Sequence, residues 1–267
     1  MAEGEHKYNI PNLKEMNSKA QLGPQSRVKR VIGVVSGKGG VGKSLVTSLL
    51  AVKAHKEGLK TAILDSDITG PSIPRSFGIT GRVRGTEDGQ IIPAESAGGI
   101  KVMSLNLLME EETDPVIWRG PVISGIVTQF WSEVLWGDID IMFVDMPPGT
   151  GDVALTVFQS LPIDGLVIVS SPQQLVGMIV EKAVNMAQRM QVPVLGMVEN
   201  MSYIECPDCG KRIELFGESH MADIAARHGI ANTASLPMLP DVAAACDRGE
   251  VESIDADWLD SLFEAIK

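Results

Sequence analysis

Residues Gly37-Lys38-Gly39-Gly40-Val41-Gly42-Lys43-Ser44 follow the spacing G-x-x-x-x-G-K-[ST], and the loop carries a second lysine, Lys38. Such a loop constrains the fold, because it cradles phosphate only where a strand feeds it and a helix leaves it. Both flanks are present. Val31-Ile32-Gly33-Val34-Val35 reads as a buried strand, and Ser44 to Lys56 spaces its apolar residues as a helix does. A phosphate would then sit at a helix N-terminus, where backbone N–H groups and the helix dipole favour negative charge. The glycines let successive N–H groups converge on phosphate oxygens, Lys43 offers a point charge to the outer phosphates, and the Ser44 hydroxyl is suited to ligate Mg²⁺. Without those flanks the glycines would make a plain turn. With them the expected ligand is a nucleoside triphosphate.

Short apolar segments alternate with helical ones along the rest of the chain, as a parallel sheet covered on both faces requires. Further strand candidates are Thr61 to Leu64, Lys101 to Ser104, Ile139 to Val144, Leu166 to Val169 and Val194 to Val198. Val176, Ile179, Val180, Ala183, Ala187 and Met190 recur at helical spacing and mark a stripe packed on the sheet, with methionine as core filler. The expected class is α/β, a mostly parallel β-sheet flanked by helices on both faces. With 267 residues, 44% of them hydrophobic, the chain can bury one sizeable core. Residues 1–26, with Pro11, Gly23, Pro24 and weak periodicity, read as a flexible or loosely docked arm, and residues 27–267 as a single domain. Asp88-Gly89, between Val83 and Ile91-Ile92, predicts a small hairpin inserted between sheet strands.

Two strand ends are acidic. Thr61-Ala62-Ile63-Leu64 runs into Asp65-Ser66-Asp67, which places carboxylates at the carboxyl edge of the sheet, where open α/β folds bind ligands and where one could position water. Ile139 to Val144 ends in Asp145, followed by the turn-rich Met146-Pro147-Pro148-Gly149-Thr150-Gly151-Asp152. Asp145 suits the Mg²⁺ side of a nucleotide site, and the turn suits a sensor of the terminal phosphate. Singly, each aspartate could be a helix cap; in this order the functional reading prevails.

Cys206-Pro207-Asp208-Cys209-Gly210 lies between the strand ending near Glu199 and a helical segment from Ser219 onward. Two thiolates at this spacing hold one edge of a metal or cluster, and a four-thiolate shell needs two more. The chain has only Cys246 besides, which its Ala243-Ala244-Ala245 context marks as a small buried helical residue. A symmetric dimer would supply a second pair, and Zn²⁺ or a [4Fe–4S] cluster would fit equally well. A redox dithiol or a metal-free knuckle is also compatible with the spacing.

The net charge of −11 disfavours nonspecific nucleic-acid binding, which needs a basic footprint. Arg27, Lys29 and Arg30 form a small cluster that reads as a solvated chain entry. No run of eighteen apolar residues occurs and the first residues are polar, so neither a membrane partner nor a secretory signal is expected and the location reads as cytoplasmic.

Taken together, Val35 to Ser44, Asp65-Ser66-Asp67-Ile68-Thr69-Gly70-Pro71-Ser72, Trp118-Arg119-Gly120-Pro121, Asp145 to Asp152 and Glu199-Asn200-Met201-Ser202-Tyr203 with the cysteine pair make the chain resemble the Mrp/ApbC family of iron–sulfur carrier ATPases. The resemblance covers about residues 28 to 250 and implies a three-layer P-loop NTPase fold. It further implies a homodimer that binds ATP with Mg²⁺ and carries a [4Fe–4S] cluster from donors to apoproteins. On the same ground Lys38, Lys43 and Asp67 form the catalytic set. Lys38 reaches the nucleotide of the partner subunit, Asp67 organises the attacking water, and Asn200 contacts adenine. Ser44 and Asp145 would serve Mg²⁺, and Cys206 and Cys209 the cluster. Relatives with an N-terminal four-cysteine cluster are not matched, since no cysteine precedes Cys206.

Other devices share this expected fold, and what is attached to it must discriminate. A ParA/MinD-like positioning ATPase would want a basic surface or a basic amphipathic terminus. Trp258, Leu259, Leu262, Phe263 and Ile266 do form an apolar stripe, but Asp255, Asp257, Asp260 and Glu264 flank it, so packing onto the domain is the better reading. A zinc-bridged targeting ATPase for membrane proteins would need a large exposed apolar groove. A nitrogenase-reductase-like electron donor would carry its cysteines near the nucleotide switch loops, where this chain has none.

Overall fold

The strand that feeds the glycine loop is longer than its apolar run. In the computed structural model, which describes residues 19–67, 72–109, 120–172 and 176–267, β1 spans Arg27–Ser36. Arg27, Lys29 and Arg30 are thus not a chain entry but the wet first half of a core strand, with Lys29 paired to Asp140 at 2.6 Å. From β1 the chain passes through α1 (Lys43–Lys56), β2 (Thr61–Asp65) and the short α2 (Ile73–Ser76). The expected hairpin follows as β3 (Arg84–Gly85) and β4 (Ile91–Ile92), antiparallel, with Gly89 supplying a φ of 79° in the turn. Next come β5 (Ala94–Glu95), β6 (Lys101–Ser104), α3 (Gly120–Glu133), β7 (Asp138–Asp145), α4 (Asp152–Ser160), β8 (Gly165–Ser170), α5 (Val176–Arg189) and β9 (Val194–Glu199). A two-strand excursion, β10 (Ile204–Glu205) and β11 (Arg212–Ile213), precedes α6 (Met221–Arg227), β12 (Thr233–Ser235), α7 (Pro240–Asp247) and α8 (Asp260–Ile266).

Eight strands form one sheet in the order β12-β9-β8-β1-β7-β2-β6-β5, parallel throughout except for the edge strand β5. The six strands expected from sequence are its centre. The chain moves from β1 by α1 to β2 on one side and from β7 by α4 to β8 on the other, so the carboxyl ends of β1, β7 and β2 flank a switch point where ligands enter such folds. Register places Asp145 beside Val34 and beside Asp65.

Alternation along β1 divides the core. Val31 and Val35 face a cluster with Phe130, Trp131 and Trp136, while Ile32 and Val34 face one built from α1 and α8. On α5, Val180, Ala183 and Ala187 are buried as the stripe requires, and Met190 packs at the margin. The side chains of Val176 and Ile179 lie outside the described residues, as do Ile68–Pro71 and Trp118-Arg119 of the sequence motifs and residues 1–18 of the arm. Of residues 19–26, Ala20 bonds Ser160 through its N–H and accepts from the Trp131 indole, both at 3.0 Å.

The terminal apolar stripe packs inward. Leu259, Leu262, Phe263 and Ile266 are each 0% exposed, and the flanking acids meet lysines, Asp260 with Lys53 and Asp255 with Lys56. Those surface pairs contribute at most about 1 kcal/mol each, so the apolar burial anchors the tail. Phe263→Ala is expected to lower the unfolding free energy by about 3–5 kcal/mol, read by urea denaturation. A change below about 1 kcal/mol would show that the tail is a dispensable appendage.

Candidate functional site

The glycine loop joins β1 to α1 with Gly42 at the helix entry, in the left-handed region at φ 82°. A side chain there is doubly excluded, because a Cβ would come within 2.1 Å of Asn200 Nδ2. Asn200 Nδ2 instead donates to the Val41 carbonyl at 3.0 Å. Gly40 also has a positive φ, 79°. The Ser36 hydroxyl donates to the Lys38 carbonyl at 2.9 Å, and the Gly149 N–H donates to Ser36 at 2.9 Å, tying the loop to the turn after β7. Lys38 is half-buried, and Gly37 lies beside it at the end of β1.

Asp145, fully buried at the end of β7, is the hub. Its Oδ1 lies 2.7 Å from Lys43 Nζ and accepts from Thr47 Oγ1 at 2.8 Å, and its Oδ2 accepts from Ser44 Oγ at 2.5 Å. Burial pushes its carboxyl up, and Lys43 works against that shift. Lys43, 5% exposed, also lies 3.3 Å from Asp67 Oδ2. Asp65 lies beneath this group; burial drives its carboxyl well above the usual range, with Asp145 adding to the effect. It accepts from Ser104 Oγ at 2.9 Å and from the Asp67 N–H at 3.1 Å, which fixes the chain entering Asp67.

Above the buried carboxylates a cavity of about 590 Å³ is lined by Gly39, Gly40, Gly42, Lys43, Ser44 and Asp67 and completed by Arg75 and Cys246. Cys246 departs from expectation here. It lies on α7, half-buried, at the edge of this cavity, because Gly249 and Gly78 bring α7 and α2 together backbone to backbone. Desolvation pushes its thiol up. A second cavity, about 370 Å³ and mostly apolar, shares Leu45 and Ala243 with the first and is lined by Asn200, Met201, Ile204, Pro237 and Met238. The arrangement suits a polar, phosphate-bearing moiety in one chamber and a flat apolar one in the other.

The cysteine pair sits in the turn of the β10–β11 hairpin. The Cys206 N–H donates to the Lys211 carbonyl at 3.0 Å, and Gly210, at φ 68°, donates back to the Cys206 carbonyl at 2.8 Å. Backbone N–H groups of Asp208 and Cys209 hold the Cys206 thiol below its usual value, which favours the thiolate a metal needs. Cys209 is exposed, as are Ile213, Leu215 and Phe216 just beyond it. Among the described residues no group of three or more His, Cys, Asp or Glu side chains is arranged to hold a metal ion.

A model of the family described as NUBPL iron-transfer P-loop NTPase (ParA) matches residues 27–266. The chain belongs to that family. It is 47% identical over 246 residues to an iron–sulfur cluster carrier protein of Clostridium perfringens, covering 89% of this chain and 86% of that one. Among solved structures it is similar to a nucleotide-binding protein of Archaeoglobus fulgidus, solved with ADP and with cobalt found in it (43% identity, TM-score 0.79, 87% of this chain and 91% of that one). The MinC:MinD complex of Aquifex aeolicus, 18% identical with a TM-score of 0.62 over 89% of this chain and 94% of that one, shares the fold alone.

Within this iron-transfer family frame, the structure gathers Gly39, Gly40, Gly42, Lys43, Ser44 and Asp67 around one cavity, with Asp145 buried behind Lys43 and Ser44, and sets Asn200 against the loop; Gly37, Lys38 and Val41 are outside the lining. Cys206 and Cys209 lie apart from it on their own hairpin. Sequence reasoning missed Thr47 and Arg75. Thr47 is one helical turn beyond Lys43 and so faces the same carboxylate, a spacing that could have revealed it. Arg75 has no comparable signal, because its place depends on how α2 docks on α7. Among the described residues no helix is long and apolar enough to cross a membrane.

Proposed function

We propose that the protein is a homodimeric ATPase of the cytoplasm that holds a [4Fe–4S] cluster between two copies and hands it to apoproteins, with ATP timing the exchange. The observation that carries this reading is the Cys206–Cys209 hairpin, two thiols displayed at the surface with backbone N–H groups favouring the Cys206 thiolate, in a chain of the iron-transfer family. Two thiolates leave a four-ligand species half coordinated, so a second copy completes it, and the exposed Ile213, Leu215 and Phe216 offer that copy an apolar contact. Little apolar cover suits a cargo meant to leave. Residues 27–267 act as one ATPase domain in this account, with neither nucleic acid nor membrane as a partner.

The phosphates of ATP occupy the loop cavity and its adenine the apolar chamber beside Asn200. Ser44 and Asp145 would hold Mg²⁺, whose hard-oxygen preference their hydroxyl and carboxylate meet, and the ion would supply charge neutralisation to the phosphates. Lys43 leaves its carboxylate partners for the outer phosphates, Lys38 reaches across the dimer, and Asp67 orients water. Hydrolysis is slow, because a timer needs no rapid turnover.

Asp67→Asn should leave Mg²⁺–ATP affinity within about twofold and slow turnover about 100-fold or more, the lower end of the usual range for a lost acid–base group. Asp145→Asn should weaken the Mg²⁺ dependence more. Parental hydrolysis by Asp67→Asn, measured as phosphate release, would remove Asp67 from this role. The carrier reading itself is tested by anaerobic reconstitution with iron and sulfide, followed by ultraviolet–visible and Mössbauer spectra, where one [4Fe–4S] cluster per two chains is expected; Zn²⁺ in its place supports a zinc-bridged targeting ATPase.

A further inference from the structure

At the end of β9 two consecutive buried side chains point to two different parts of the molecule. Asn200, 4% exposed, holds the Val41 carbonyl of the glycine loop. Glu199, 3% exposed, accepts from Ser202 Oγ at 2.8 Å through one carboxyl oxygen and from Ser219 Oγ at 2.9 Å through the other. Ser202 and Ser219 bracket the excursion that carries Cys206 and Cys209, so one carboxyl group fastens both of its ends. The near end of the excursion is stiffened where the strain lies. Met201 adopts φ 60°, a left-handed conformation uncommon for a side chain of its kind, and Ser202 N–H and Met238 N–H bind across to Leu236 and Tyr203 carbonyls at 2.9 and 2.8 Å.

We propose that Glu199 is a positioning residue that couples the nucleotide loop to the cysteine pair, clasping the base of the cysteine hairpin while its neighbour Asn200 holds the loop. Lys43, two residues from Val41, is paired with Asp145 and Asp67 in this structure, so phosphate binding re-aims it from those carboxylates in the loop whose backbone Asn200 grips. Ile204, the first residue of β10, lines the apolar chamber itself, two positions before Cys206. Occupancy of either chamber therefore presses on the segment 199–204, and the clasp turns that displacement into a movement of the hairpin base instead of letting it dissipate in a loose loop. The coupling runs within one chain, and it is reciprocal: whatever fixes the thiols changes nucleotide affinity by the same factor.

This inference rests on the ATP-binding half of the proposed function but not on the identity of the cargo, and the test keeps the two apart. The probe is the rate of iodoacetamide alkylation at Cys206 and Cys209 in the full-length, metal-free protein, read by mass spectrometry with and without a non-hydrolysable ATP analogue. In the parental protein the analogue should change that rate about fivefold or more, the lower end of ordinary coupling. Glu199→Ala should reduce the change to under about twofold while binding the analogue as the parent does, because side-chain coupling is lost and the nucleotide cavity is untouched. Glu199→Gln should restore it, since its amide can accept from one serine and donate to the other. Should Glu199→Ala fold poorly, Ser219→Ala frees only the far end of the hairpin and should give the same loss. No analogue effect in the parent, or a full effect in Glu199→Ala and Ser219→Ala, overturns the proposal. A protein that shows the coupling yet takes up no iron and sulfide keeps the clasp and loses the carrier reading.

Discussion

Lys43→Ala loses ATP binding by roughly 30-fold to several thousandfold, the range set by removing one partner of a desolvated charge pair at about 2–5 kcal/mol. The structure explains why the loss is large. Lys43 is almost wholly buried and lines the loop cavity. The same substitution strips Asp145, at a site with 0% exposure, of the cation 2.7 Å from its Oδ1. Asp145 then takes up a proton, so the stability cost stays below the roughly 3–5 kcal/mol of a buried charge left bare. Lys38→Ala is expected to behave differently, keeping most of the affinity and losing hydrolysis, because its proposed role is at the partner's nucleotide. Calorimetric titration with ATP and a phosphate-release assay on both variants check this. Equal loss of affinity in the two would mean that both lysines serve the same phosphates in cis.

Cys206→Ala or Cys209→Ala removes cluster binding altogether while leaving fold and ATP affinity unchanged. In the proposed dimer each substitution would take two of the four thiolates from the bridging site, since a symmetric pair loses the ligand twice, and two thiolates do not hold a [4Fe–4S] cluster. The hairpin that carries them is exposed and packs no core side chain at the cysteine positions, so stability should change by less than about 0.5 kcal/mol. Cys246→Ala should retain the cluster, because that thiol lies at the nucleotide cavity, on α7. Iron and sulfide content after anaerobic reconstitution reads all three. Full iron content in Cys209→Ala would place the cluster elsewhere.

The parts of this molecule legible in its sequence are those that local physics determines. The central strands announce themselves because a parallel strand covered on both faces must be apolar along its whole length, and Ile32 to Val35 and Ile141 to Val144 are. The glycine loop is legible because a phosphate cradle demands particular residue types at particular spacings, and Asp145 because it ends an apolar strand just before a Pro- and Gly-rich turn. The terminal stripe of Leu262, Phe263 and Ile266 is readable as packed onto the domain from the acids beside it, of which Asp260 and Asp255 pair with Lys53 and Lys56. What stayed hidden depends on tertiary meetings. β12 is three residues long and the β10 and β11 strands two each, too short to show a period. Cys246 and Arg75 reach the nucleotide cavity only because two glycines let α2 and α7 approach. Glu199 reads as an ordinary polar residue at a strand end until Ser202 and Ser219, three and twenty positions away, are seen to converge on it.

The central claim is that a surface cysteine pair, completed by a second copy, carries a cluster that leaves on demand. The direct measurement is transfer: the parental protein is reconstituted anaerobically with iron and sulfide, freed of unbound iron, and mixed with an apo-aconitase-type acceptor in the presence of ATP and Mg²⁺. The account predicts that acceptor activity appears as the carrier's cluster absorbance falls, at one cluster per two chains, and that the Cys206→Ala protein activates nothing. A parental protein that takes up no iron and sulfide, purifies with one tight zinc per two chains and leaves the acceptor inactive would contradict it.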